Sequence, residues 1–106
     1  MKNMEEALVG LIGAIKESEE YLEYTRAKEK VKEFPELKAL IDEYRRRNYE
    51  LQNDENIEFE KVEEFEKEYA GLWEEPLAAD FLTAELAFCR MMQEVSLRIT
   101  ESLDFE

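Results

Sequence analysis

Leu77, Phe81, Ala84, Phe88, Met91, Val95 and Ile99 recur at steps of three and four residues. Those steps keep apolar side chains on one stripe of an α-helix, the pattern of helix packed on helix. The last third of the chain is therefore predicted as one long helix that starts at Pro76. A stripe of that length has to be covered by other helices, from this chain or from another copy.

Four shorter helices are predicted upstream. The first runs from about Lys2 to Ile15, with Met4, Ala7, Leu8, Leu11, Ile12 and Ile15 on one face. Val9, Gly10 and Gly13 widen that face, and each glycine lowers helicity by roughly 1 kcal/mol. Such a helix either tucks into the domain's own core or packs as an arm on a second subunit; the residues leave both open. Ser18 is a candidate N-cap for a second helix, Glu19 to Glu33, with Glu19 and Glu20 in the dipole-favoured first turn. Phe34-Pro35 breaks that helix, and Pro35 suits the first turn of a third. The third runs to about Asn53, with Leu37, Leu40, Ile41, Tyr44, Asn48 and Leu51 facing inward. Asn56 is a candidate cap for a fourth, about Ile57 to Trp73. Phe59, Val62, Tyr69, Leu72 and Trp73 face its core side, and Phe65 lies near the edge. Glu75-Pro76 repeats the break and restart.

Charge separates the possible partners. The 106 residues carry 28 acids and 14 bases, a net −14. Phosphate binding needs a basic surface, so neither nucleic acid nor an anionic membrane is expected as a direct partner. The charge is uneven: residues 54–75 hold ten acids and two lysines, while 35–53 hold four of each sign. Ala7 to Ile15 is too short to span a bilayer, and acids precede it where a secretory signal would be basic. With a single cysteine, Cys89, these features predict a cytoplasmic protein without membrane insertion.

The order of these pieces resembles the YlbF/YmcA family of small bacterial helical regulators. The resemblance is carried by Lys16-Glu17-Ser18-Glu19-Glu20-Tyr21, Tyr24, Ala27, and Pro35-Glu36-Leu37-Lys38-Ala39-Leu40-Ile41. It continues through Pro76-Leu77, Phe81, Ala84-Glu85, Gln93-Glu94-Val95 and Ile99. It covers about residues 4–103. The resemblance implies long helices that associate into dimers or larger assemblies, and a non-enzymatic role in control of competence, sporulation or biofilm formation. It also implies paralogous helical proteins, or a ribonuclease complex acting in RNA processing, as partners. Some partners in that family hold iron–sulfur clusters on cysteines toward their C-termini. This chain has no cysteine after Cys89, so cluster binding does not carry over.

Residues that carry chemistry are scarce. There is no histidine, which removes the commonest general base, the Ser-His and Cys-His pairs, and the Glu-x-x-His di-iron pattern. The three glycines are scattered and form no phosphate loop. Cys89 is predicted as a buried structural residue on the apolar side of the last helix. Glu58, Glu60, Glu63, Glu64, Glu66 and Glu68 spread around a helix as a solvated face or an acidic docking strip. Arg45-Arg46-Arg47 point in different directions on a helix, and their expected partners are Asp42, Glu43 and Glu50. Trp73 is expected to pack at a helix end.

The sequence thus predicts an all-α, elongated bundle of about five helices with a long C-terminal helix, forming one domain over residues 1–106. No catalytic residue, cofactor or metal is assigned. The expected function is regulation or adaptation through helix-mediated contacts, with a homodimer or higher oligomer as the first partner. Interface candidates are Leu8, Leu11, Ile12, Phe81, Phe88, Met92, Val95 and Ile99. Two alternatives stand beside this reading: an RNA-binding module using Lys38 and Arg45 to Arg47, and a carboxylate–metal enzyme.

Overall fold

Three helix breaks, each one to three residues long, set the path of the chain. In the computed structural model, which describes residues 2–103, the described residues form six helices and no strand. These are α1 Lys2–Glu17, α2 Glu19–Val31, α3 Pro35–Gln52, α4 Phe59–Glu68, α5 Ala70–Glu74 and α6 Pro76–Ser102. Ser18 makes the first break alone. Its backbone is extended, at φ −67° and ψ 149°, and its hydroxyl works in both directions. It donates to the Ile15 carbonyl at 2.5 Å, closing α1, and accepts from the Tyr21 N–H at 3.2 Å, capping α2. Pro35 and Pro76 occupy first-turn positions, preceded by the non-helical residues Phe34 and Glu75. In each case the carbonyl before the proline accepts the first helical hydrogen bond, from Lys38 and from Ala79.

The main packing is α2 against the first half of α6. The pairing is antiparallel: Tyr21 meets Phe88, Tyr24 meets Phe81, and Arg26 reaches Asp80. Ala27 and Ala78 are almost fully enclosed there, and their small side chains let the two helices approach closely. Val31, Ile41, Phe65, Tyr69, Leu72, Phe81 and Leu82 complete the buried core. On its far side an aromatic group ties α3 to α4 and α5. Tyr44 stacks on Phe65 at 5.3 Å and meets Tyr69 and Trp73 edge-on, and Trp73 Nε1 donates to the Tyr44 hydroxyl at 3.3 Å.

The structure corrects several expectations. The predicted fourth helix is two pieces, interrupted at Tyr69, where the backbone leaves helical angles (φ −104°, ψ 9°). Tyr69 is buried with its hydroxyl held by Arg47, and Gly71 follows it at a cost in helicity. Asn56 caps nothing. Its N–H donates to Asp54 Oδ1, an Asx turn, and α4 starts only after Glu58. Phe65 is core rather than edge. Phe59, at 75% exposure, and Leu40 face solvent, because no element covers their side of α4 and α3.

The core is small for the chain. The radius of gyration is 17.3 Å, against about 13 Å for a compact chain of this length. The accessible surface is 8489 Å², against roughly 6200 Å² for a folded monomer of this mass.

Ile41 is 1% exposed. Ile41→Ala should therefore lower unfolding free energy by about 2–5 kcal/mol in urea titration, while Phe59→Ser should stay within about 0.5 kcal/mol of the parent.

Candidate functional site

About half of the exposed large apolar side chains lie at one end of the α2–α6 pair. Because those helices run antiparallel, α1 and the second half of α6 both extend from the same end of the pairing. α1 has no buried residue, and its main packing on the body is against α2, across the Ser18 joint. Met4, Leu8, Val9, Leu11 and Ile12 are all exposed on it. On α6 the apolar seam is buried at Phe81, half-buried at Phe88, Met91 and Val95, and exposed at Ile99, with Met92 and Leu97 exposed beside it. A helix with that composition, two glycines and no covering neighbour is marginal by itself in water. A Cβ added at Gly10 or Gly13 would meet nothing within 4 Å, so no part of this chain needs either glycine for space.

Charge marks the same surface. Residues 2–17 carry two lysines and three glutamates, and residues 86–103 carry two arginines and two glutamates. The intervening 18–85 carry 21 acids and ten bases. Two nearly neutral apolar arms thus project from a strongly acidic body. Depletion of charge over an apolar centre is the composition of a protein–protein interface.

The interface candidates divide by position. Leu8, Leu11, Ile12, Met92 and Ile99 are exposed on the arms. Val95 is half-buried. Phe88 is also half-buried and stacks on Tyr24 at 5.3 Å. Phe81 is 4% exposed and lies under the Arg45 guanidinium, within the chain's own core.

Other candidates fall elsewhere. Cys89 is exposed rather than buried. It lines an open groove of about 920 Å³ between α3 and α6, with Tyr49, Trp73 and Leu86. One residue from Phe88 turns about 100° around the helix, and α3 does not close over that side. Trp73 is half exposed. The arginine run is neutralised in place. Arg45 pairs with Glu85 at 2.6 Å and with Asp42 at 3.5 Å, Arg46 with Glu50, and Arg47 with Glu68 at 2.6 Å. Glu85 and Glu68 come from other helices, which the sequence did not indicate. Burial pushes the Glu85 carboxyl up, against the pull of Arg45. Arg47 holds Glu68 below its ordinary value. Among the described residues no three acidic or cysteine side chains cluster as a metal site, and no helix is long and apolar enough to cross a membrane.

These features define an all-α, elongated helical bundle with exposed apolar arms and an acidic body. A sequence model of the family described as control of competence regulator ComK, YlbF/YmcA, matches residues 4–104. The chain belongs to the YlbF/YmcA family, a bacterial regulatory family. It is similar to a UPF0342 protein of Caldicellulosiruptor bescii, 26% identical over all of this chain and 92% of the relative. It is also similar to a UPF0342 protein of Symbiobacterium thermophilum, 30% identical over 91% of this chain and 89% of the relative. No solved structure matches it.

Two outcomes are expected. Ser18→Ala removes the cap of α2 and should cost about 1 kcal/mol by chemical denaturation. Glu68→Gln should show a pH-dependent deficit. The Arg47 pair contributes fully above the ordinary glutamate value of 4.5 and is lost as pH falls through the lowered folded value. Parent and variant stabilities should differ at pH 7 and converge at strongly acid pH.

Proposed function

We propose that this chain is a non-enzymatic, cytoplasmic regulatory adaptor that works through helix-mediated contacts, first with a second copy of itself. The observation that carries this reading is the pair of apolar, nearly neutral arms on an otherwise acidic chain. A second copy fits the arms because it offers the same apolar faces without adding charge at the contact, whereas its acidic body would repel a copy docking elsewhere. The surplus accessible surface, ~2300 Å² over a compact monomer, is of the order that obligate dimers remove from each subunit. Helical relatives built on the same plan offer faces of the same kind, so a paralogue can exchange for the second copy. That exchange is how an adaptor of this sort would reach competence control or RNA processing. The paired state of Arg45, Arg46 and Arg47 weighs against direct RNA binding, since each guanidinium already faces a carboxylate.

Affinity purification of the tagged protein from its native host, with mass spectrometry, tests this. The parent should recover untagged copies of itself and related helical proteins. Leu8→Glu and Ile99→Glu, which alter exposed positions and so leave the core intact, should lose both. Recovery unchanged in both variants would contradict the proposal.

A further inference from the structure

A second unpartnered surface lies at the other end of the α2–α6 pair, where the two proline joints meet. Two open cavities of about 670 Å³ and 420 Å³ adjoin there, sharing Leu37 and Glu75 in their walls. Together they make one groove along α3. Its floor is apolar: Phe34, Leu37, Leu40, Leu72 and Leu77, with Gly71 opening one side. Phe34 and Leu40 are each about half exposed, so the floor is uncovered. Its rim is acidic, from Glu33, Glu36, Glu43, Glu68 and Glu75. Glu68 faces Arg47. The other four have no ion-pair partner among the described residues, and no lysine or arginine lines either cavity.

We infer that this groove docks a basic amphipathic helix of another protein, with apolar side chains on the floor and lysines or arginines against the rim. The floor runs from Phe34, just before α3, to Leu40, a rise of about 9 Å along a helix. That length, somewhat under two turns, takes anchors at i, i+3 or i+4 and close to i+7 of a docked helix, the spacing of helix-in-groove recognition. The acidic rim supplies selection and steering for a cationic ligand. A second copy does not fit this role. Its exposed apolar arms carry no basic surplus, and its body carries 21 acids against ten bases. The groove is separate from the arms, so the inference does not depend on self-association.

The test is fluorescence anisotropy of the full chain with two labelled synthetic peptides of about 15 residues, long enough for a helix to form. One places leucines at i, i+3, i+4 and i+7 with lysines elsewhere. The other has the same composition with the leucines dispersed around the helix. The patterned peptide should bind roughly tenfold or more tighter, and salt should weaken it. Gly71→Leu fills the groove, and a Cβ there meets nothing within 4 Å, so the fold should tolerate it. That variant and Leu40→Ser should each lose about tenfold in affinity, whereas the arm variant Ile12→Glu should bind like the parent. Equal binding of both peptides would reduce the groove to bulk charge attraction and overturn the inference. So would unchanged affinity in Gly71→Leu and Leu40→Ser, or loss only in Ile12→Glu, which would place the peptide on the arms. A shift in self-association on Gly71→Leu would assign the groove to a second copy instead.

Discussion

The antiparallel contact of α2 with the first half of α6 is the constraint on which the rest of the structure depends. It is made of two small residues, Ala27 and Ala78, that bring the helices close, and of Tyr24 held between Phe81 and Phe88. Everything else attaches to that pair. α3 joins through Ile41, and α4 and α5 join through Phe65, Tyr69 and Leu72. The pairing also fixes what cannot be covered. α6 has 27 residues and α2 only 13, so the partner runs out halfway along the seam. Ser18 then prevents α1 from continuing α2 as one helix, which would have extended the partner along its original line.

The surplus surface and the charge distribution follow from the same geometry. A chain that spends its core on one helix pair leaves the ends of its long elements bare, and here those ends are apolar and nearly neutral. The acidic residues sit on the parts that are already packed, where they keep the body soluble and discourage lateral contacts. The polar interactions that cross between helices are few, with the Arg26–Asp80 pair exposed and the Arg45–Glu85 and Arg47–Tyr69 pairs partly buried. Arg47 with Glu68 and Tyr69, Arg45 with Glu85, and Arg26 with Asp80 orient α3, α4 and α6 more than they stabilise them.

Much of this was legible in the chain because punctuation is local chemistry. Ser18, Pro35 and Pro76 act on their own backbone within four residues, and each behaves as its residue type dictates. Periodicity was less informative, because it shows which residues share a stripe and not where along the stripe a neighbour ends. The seam from Leu77 to Ile99 is a single pattern in sequence, yet Phe81 lies in the core and Ile99 in solvent. For the same reason Phe59 and Leu40 were expected inside and Phe65 at the edge. Ala78 gave no signal as a core residue, since a small side chain adds little to an apolar stripe. Cys89 was misplaced because its apolar neighbours face α2 while it faces the open side toward α3. The arms' own composition hinted at a dual role for α1, tucked in or projecting, and only the tertiary arrangement chooses between them.

The central proposal is that α1 is held as a helix by burial against a second copy of the chain. Amide hydrogen exchange, followed residue by residue across a dilution series, measures this directly. The account predicts that protection of residues 2–17 and of the second half of α6 rises with protein concentration, while protection of α2 and the first half of α6 stays constant. Protection of α1 that is independent of concentration, whether high or absent throughout, would contradict it.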